Sequence, residues 1–152
     1  MKQKNILESK IGLKLTMLGK KSKILALQRF SMNNHPITPE QFTILAALVE
    51  QDGMYQSQIA HWTMKDRPNI TRLTNILEKM KLVSRQVDVN KRRVYKISIT
   101  DKGREVYERI LPTILDVWKD TVEGISDIEL KTTLQVLHKI RLNLDNNINI
   151  QY

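Results

Sequence analysis

Residues 64–103 read MKDRPNITRLTNILEKMKLVSRQVDVNKRRVYKISITDKG. Twelve lysines and arginines fall between Lys65 and Arg104, against the four acids Asp66, Glu78, Asp88 and Asp101. That stretch therefore carries +8 of the chain's formal net charge of +9. It begins as a helix. Asp66 is placed to cap it by accepting backbone N–H groups that lack an intrahelical partner. Pro68 falls in the first turn, where no donor is needed. Ile70, Leu73, Leu77 and Met80 then recur at helical spacing and make one apolar stripe. At about 100° per residue the opposite face carries Pro68, Thr71, Arg72, Asn75 and Lys79. Arginine pairs bidentately with guanine and asparagine with adenine, while threonine offers a hydroxyl and a methyl group, so Thr71, Arg72 and Asn75 suit base edges. Taken alone, the same row reads equally well as a solvated polar face.

The next segment favours the first reading. Leu82 to Val87 is a short β-prone run. Asp88-Val89-Asn90-Lys91 is turn-like, because Asp and Asn hydrogen-bond their own backbone. Arg92 to Ile99 is a second strand with Tyr95, Ile97 and Ile99 alternating onto one face. The hairpin tip therefore gathers Lys91, Arg92 and Arg93. Three adjacent cations repel one another unless an anion neutralises them, and phosphate is the fitting anion. A helix and a hairpin sharing one basic surface point to a reader of duplex nucleic acid.

These residues resemble the MarR family of winged helix-turn-helix regulators. ITPEQFTILAAL, residues 37–48, resembles that family's second helix. QSQIAHWTMKDRPNITRLTNILEKMKLVSR resembles its helix-turn-helix, and DVNKRRVYKISITDKG its wing. The three motifs occur in order from about Ile37 to Arg104. The family wing usually reads Asp-x-Arg-Asp-Arg-Arg. Here Asp88, Arg92 and Arg93 match, Asn90 replaces an arginine and Lys91 an aspartate. Lys81 stands where a glycine usually ends the recognition helix. A lysine held at positive φ there costs roughly 1 kcal/mol.

At 152 residues the chain is long enough for one compact unit with two lobes. It has no cysteine, which excludes disulfides, thiolate metal sites and thiol redox sensing. The longest apolar run, Ile44 to Val49, is far short of a membrane span. The opening MKQKN lacks the apolar core of a signal peptide, so a cytoplasmic location is expected.

Outside the central stretch the pattern is helical. Ile6 to Met32 reads as one helix, with Ile11, Leu15, Leu18 and Leu25 along one side and Gly19 interrupting it at modest cost. It is long for a helix that packs only on its own domain. Thr38-Pro39-Glu40-Gln41 starts the next helix with a cap, a first-turn proline and a capping box. Phe42, Leu45, Ala46 and Leu48 or Val49 supply its core face. A short helix from Gln56 or Ser57 follows, with Ile59, Ala60 and Trp62 expected inward. Thr100-Asp101 opens a long helix toward Glu123, which Pro112 is expected to kink. Ser126-Asp127-Ile128-Glu129 is a capping box for the last helix. That helix shows Leu130, Leu134, Leu137, Ile140 and Leu144 at three- and four-residue steps. Apolar first and last helices call for a partner.

The expected fold is mainly α. A winged helix-turn-helix DNA-binding lobe spans 37–100. A helical dimerisation lobe is built from the N- and C-terminal helices, 1–36 and 101–152. The expected activity is that of a ligand-responsive repressor binding a pseudo-palindromic double-stranded DNA operator as a homodimer, without enzymatic activity, cofactor or membrane partner. Pro68 and Asn69 would sit at the entering end of the recognition helix. Ser57, Gln58, Lys65 and Arg67 would hold phosphates, with Lys79 also on the DNA face. Asn90, Lys91, Arg92 and Arg93 would reach the adjacent minor groove or its phosphates. The resemblance further implies a pocket between the lobes for a small phenolic or aromatic effector. Met17, Leu18, Phe30, His35, Trp62 and Trp118 are its candidate walls. His35, His61 and His138 show no metal-ligand spacing, and neither a phosphate loop nor a nucleophile elbow is present. Two other readings stay open on the residues alone: a winged-helix module that meets acidic protein surface, and a metal-responsive regulator using His35 with acidic neighbours.

Overall fold

The computed structural model describes residues 2–88 and 95–148. Its helices are α1 (Lys2–Met32), α2 (Pro39–Glu50), α3 (Gln56–Thr63), α4 (Arg67–Lys79), α5 (Asp101–Thr121) and α6 (Asp127–Asp145). Its strands are β1 (Met54–Tyr55), β2 (Val83–Val87) and β3 (Tyr95–Ile99). They form one antiparallel sheet in the order β1-β3-β2. Met54 lies opposite Ile97, Val83 opposite Ile99 and Val87 opposite Tyr95.

The helix starts follow from local chemistry. The Thr38 N–H donates to Gln41 Oε1 at 2.8 Å and the Gln41 N–H returns to Thr38 Oγ1 at 3.3 Å, so two otherwise unpaired donors are satisfied reciprocally. Ser126 and Glu129 repeat the box at α6. Asp66 Oδ1 accepts the Asn69 N–H at 2.7 Å, and Thr100 Oγ1 accepts the Gly103 N–H at 3.0 Å. Gly103 is required by close approach. A Cβ there would lie 2.1 Å from the Leu82 carbonyl oxygen, where α5 leaves the sheet.

Three helix ends use a left-handed residue that is not glycine: Asn34, Met64 and Lys81, with φ of 51°, 54° and 61°. At Lys81 the cap is a Schellman motif. Its N–H donates to Glu78 O at 2.8 Å and the Leu82 N–H to Leu77 O at 2.9 Å. The positive φ expected at Lys81 is therefore present, and a lysine occupies it.

The core closes around α2, which touches α1, α3, α4, α5 and β3. Ile44, Leu45 and Leu48 of α2 meet Ile59 of α3, Ile70 and Leu77 of α4, Ile97 of β3 and Ile110 of α5, all fully buried. Ala47 is buried as well, because α2 is covered on nearly every side. Trp62 departs from its expected inward position. It is 41 % exposed at the edge of α3.

The long helices behave differently. Among the described residues, α1 buries only Phe30 and α6 buries none. Ile128 and Leu134 of α6 are 78 % and 66 % exposed. Helix α5 runs through Pro112 without a break and ends two residues before Glu123, with Gly124 at φ 76° just beyond. No helix among the described residues is long and apolar enough to cross a membrane.

Candidate nucleic-acid interface

Helix α3 ends at left-handed Met64, and Asp66 starts α4 two residues later. The buried stripe of Ile70, Leu73 and Leu77 pins α4 to the body. Its opposite face is thereby turned outward. Pro68, Thr71, Arg72 and Lys79 are exposed on it, and Asn69 and Asn75 are half-buried. Arg72 Nη2 donates to Asn69 Oδ1 at 3.0 Å, and Thr71 Oγ1 donates to Arg67 O at 3.0 Å.

At the start of α3, Ser57 and Gln58 are exposed. Gln58 Oε1 is engaged by the Tyr55 N–H at 2.8 Å. Ser57, Arg67 and Thr71 line one hollow of about 450 Å³ between the starts of α3 and α4 and the hairpin strands. Tyr55, Gln56, Arg85 and Tyr95 complete it. The hollow thus brings Ser57 and Arg67, both expected at phosphates, beside the outward face of α4. The strand side is tied down at the base of the wing. The Tyr55 hydroxyl donates to buried Asp88. That bond, more than burial, raises the Tyr55 pKa, since a carboxylate opposes formation of a phenolate. Lys96 Nζ stands 5.6 Å from the centre of the Tyr55 ring. The candidate wing-tip residues Asn90, Lys91, Arg92 and Arg93 lie outside the described residues.

Sequence reasoning missed Arg85. From β2 it crosses to the flank of α4, where Nη2 donates to Thr74 Oγ1 at 3.2 Å and to Asn75 Oδ1, and Nη1 stands 3.1 Å from Glu78 Oε2. A pattern of alternating residues in a strand gives no sign of a contact ten residues back along the chain.

Lys65 lies elsewhere. Its Nζ is 3.4 Å from Glu40 Oε1, which also accepts from Lys23 Nζ at 2.8 Å. The Lys23 hydrogen bond is the largest cause holding the Glu40 carboxyl below the usual range, against the opposing effect of burial. These charges rim a second cleft of about 450 Å³, where α1, α2, α3 and α5 meet. Leu27, Phe42, Ile114, Trp62 and Trp118 form its apolar wall.

Of the six residues expected at an effector pocket, only Trp62 and Trp118 line this cleft. Phe30 is buried beneath it, edge-on to Phe42 with ring centres 6.0 Å apart. His35 packs edge-on against Phe30 at 5.1 Å, and its Nε2 lies 2.8 Å from Thr113 Oγ1. Burial, then the Arg109 charge, lowers its pKa. Met17 and Leu18 are exposed further up α1. No group of three or more His, Asp or Glu able to hold a metal exists among the described residues.

The family model described as "MarR family" matches residues 37–95, which are the helix-turn-helix and most of the hairpin. The chain is 33 % identical over 112 residues to the HTH-type transcriptional repressor MdtR of Bacillus subtilis, covering 73 % of this chain and 70 % of that protein. The chain belongs to the MarR family. Among solved structures, the S. aureus MepR–DNA complex is 26 % identical, with a TM-score of 0.77 over 87 % of this chain and 96 % of that one. The transcriptional regulator SlyA superposes with a TM-score of 0.80 over 90 % and 95 % of the two chains at 23 % identity, a likeness of fold. This MarR-family chain is a DNA-binding transcriptional regulator, and its family and neighbours are regulators rather than enzymes.

Proposed function

We propose that this regulator is a homodimeric, ligand-responsive repressor that acts in the cytoplasm on a pseudo-palindromic operator. The observation carrying the reading is the outward row of Thr71, Arg72 and Asn75, held in place by a fully buried stripe on the other side of α4. Thr71, Arg72 and Asn75 read base edges in the major groove, with Pro68 and Asn69 at the entering end and Lys79 following. Ser57, Gln58 and Arg67 hold phosphates. Asn90, Lys91, Arg92 and Arg93 reach the neighbouring minor groove or its phosphates. Two copies joined through α1, α5 and α6 present two such helices about one turn of DNA apart. The apolar residues left exposed on α1 and α6 support that pairing.

The cleft between α1, α2, α3 and α5 is the proposed effector site. Its aromatic wall and the lysines at its rim suit an aromatic carboxylate. Such a ligand competes with Glu40 for Lys65 and Lys23. Lys65 immediately precedes Asp66, the cap of α4, so its release from Glu40 bears on how α4 is set. An effector then favours dimers whose two recognition helices are wrongly placed for the operator.

Fluorescence anisotropy tests the reading, using a labelled duplex from the promoter beside the protein's own gene, a scrambled duplex and two salt concentrations. Tight, sequence-dependent binding with a steep salt slope is expected. Equal weak binding to both duplexes and to a random pool would favour a basic module that meets acidic protein surface. Both tryptophans of the chain line the cleft, so a panel of hydroxybenzoates should change intrinsic fluorescence while releasing the duplex.

A further inference from the structure

Arg85 and Asn75 meet on the flank of the recognition helix, where a strand of the wing hairpin lies against it. A guanidinium carries donors and no acceptor. The amide atom of Asn75 facing Arg85 is therefore its oxygen, and the amide nitrogen is turned away. Arg85 is itself held on both sides, by the Thr74 hydroxyl at 3.2 Å and the Glu78 carboxylate at 3.1 Å. Thr74 is fully buried and its own hydroxyl donates to Ile70 O at 2.8 Å, so the anchor belongs to the rigid part of α4. Only a quarter of the Arg85 side chain is exposed.

We propose that Arg85 is a positioning residue that makes Asn75 a donor-only reader of DNA. This inference rests on the reading of α4 as the base-contacting helix, and it changes what that helix selects. An asparagine with a free amide recognises adenine by giving its N–H to N7 and accepting from the 6-amino group. With its oxygen turned toward Arg85, Asn75 points its –NH₂ group away from the strand, and that group is what it turns to a base. That group matches guanine, whose major-groove edge offers two acceptors, N7 and O6. Arg85 thus acts on sequence preference without touching a base.

The test is selection of preferred duplexes from a random pool by the full chain and three variants. Asn75→Ala should relax discrimination at one base pair of each half-site by about tenfold. At that pair the unaltered chain should prefer G·C. Arg85→Met removes the donors while keeping an apolar stem, which frees the amide to rotate. It should shift that one pair toward A·T and leave the other positions unchanged. Arg85→Lys restores a donor and should restore G·C. A merely structural role for Arg85 would lower binding to all duplexes equally. If Arg85→Met does not fold, 7-deazaguanine in the duplex supplies the check on the unaltered chain. Loss of N7 at the Asn75 pair should weaken binding several-fold. A preference of the unaltered chain for adenine at that pair, an unchanged preference in a folded Arg85→Met, or no effect of 7-deazaguanine would overturn the proposal. If the unaltered chain enriches no sequence at all, the reading of α4 fails with it, and that outcome is visible before any variant is made.

Discussion

The winged-helix body and the terminal helices have similar apolar spacing and opposite fates. In the body, Ile70, Leu73 and Leu77 of α4 recur at helical steps and are sealed against α2 and the sheet. In α6, Leu130, Leu134 and Leu137 recur just as regularly, and none of that helix is buried. A helical stripe states that a face needs covering. It does not state whether the cover comes from the same chain. In the body the cover is close in sequence: α2, α3, α4 and the hairpin fold over one another within about sixty residues. Helix α1 packs on α2 and α5 mainly toward its end, and among the described residues α6 buries none, so the proposed cover for these faces is a second copy.

The same change made in the two regions separates them. The largest effect is expected from charge on the terminal face. Leu134→Glu together with Leu137→Glu should convert a dimer to a monomer by light scattering and abolish operator binding, with the helical content of the body retained. A variant that stays dimeric would move the interface off α6. Next comes the body core, where Leu77→Ala should lower unfolding stability by about 2–5 kcal/mol at every protein concentration. Leu137→Ala should lower it in a concentration-dependent way if association supplies its cover, as the proposed dimer requires. Denaturant melts at two concentrations compare them directly.

Smaller effects sharpen the account of the body's outward face. Arg72→Ala should cost roughly 1–3 kcal/mol of operator binding and relax preference at one base pair. A uniform loss across sequence variants would make Arg72 a phosphate contact. The smallest effect is a gain. Lys81→Gly removes a side chain from a left-handed residue at φ 61° and should stabilise the fold by roughly 1 kcal/mol in thermal or denaturant unfolding.

What could be read from the sequence divides along a physical line. The positive φ at Lys81 was legible only through the family resemblance, whereas local chemistry was legible in the residues: the capping boxes at Thr38 and Ser126, the Asp66 cap and the Pro68 position depend on neighbours a few residues away. The apolar stripe of α4 fixed its outward face for the same reason. The two-residue strand β1 was not legible, because it is too short to alternate and exists only through pairing with β3. Lys65 illustrates the rest. A lysine beside a recognition helix reads as a phosphate ligand, and only the fold brings Glu40 within 3.4 Å of it. Trp62 reads as core by its spacing and as a pocket wall through the family resemblance, and the fold sets it at the edge of a cleft that four separate helices create. Arg85 was missed because its role is set by a cross-element contact to Asn75.

The most direct measurement of the central claim is selection of duplexes from a random pool by the full chain, followed by the stoichiometry of the winning complex. The account predicts a two-fold-symmetric sequence with half-sites about one helical turn apart, bound by two chains per duplex. Enrichment of a single unpaired half-site bound by one chain, or no enrichment, would contradict it.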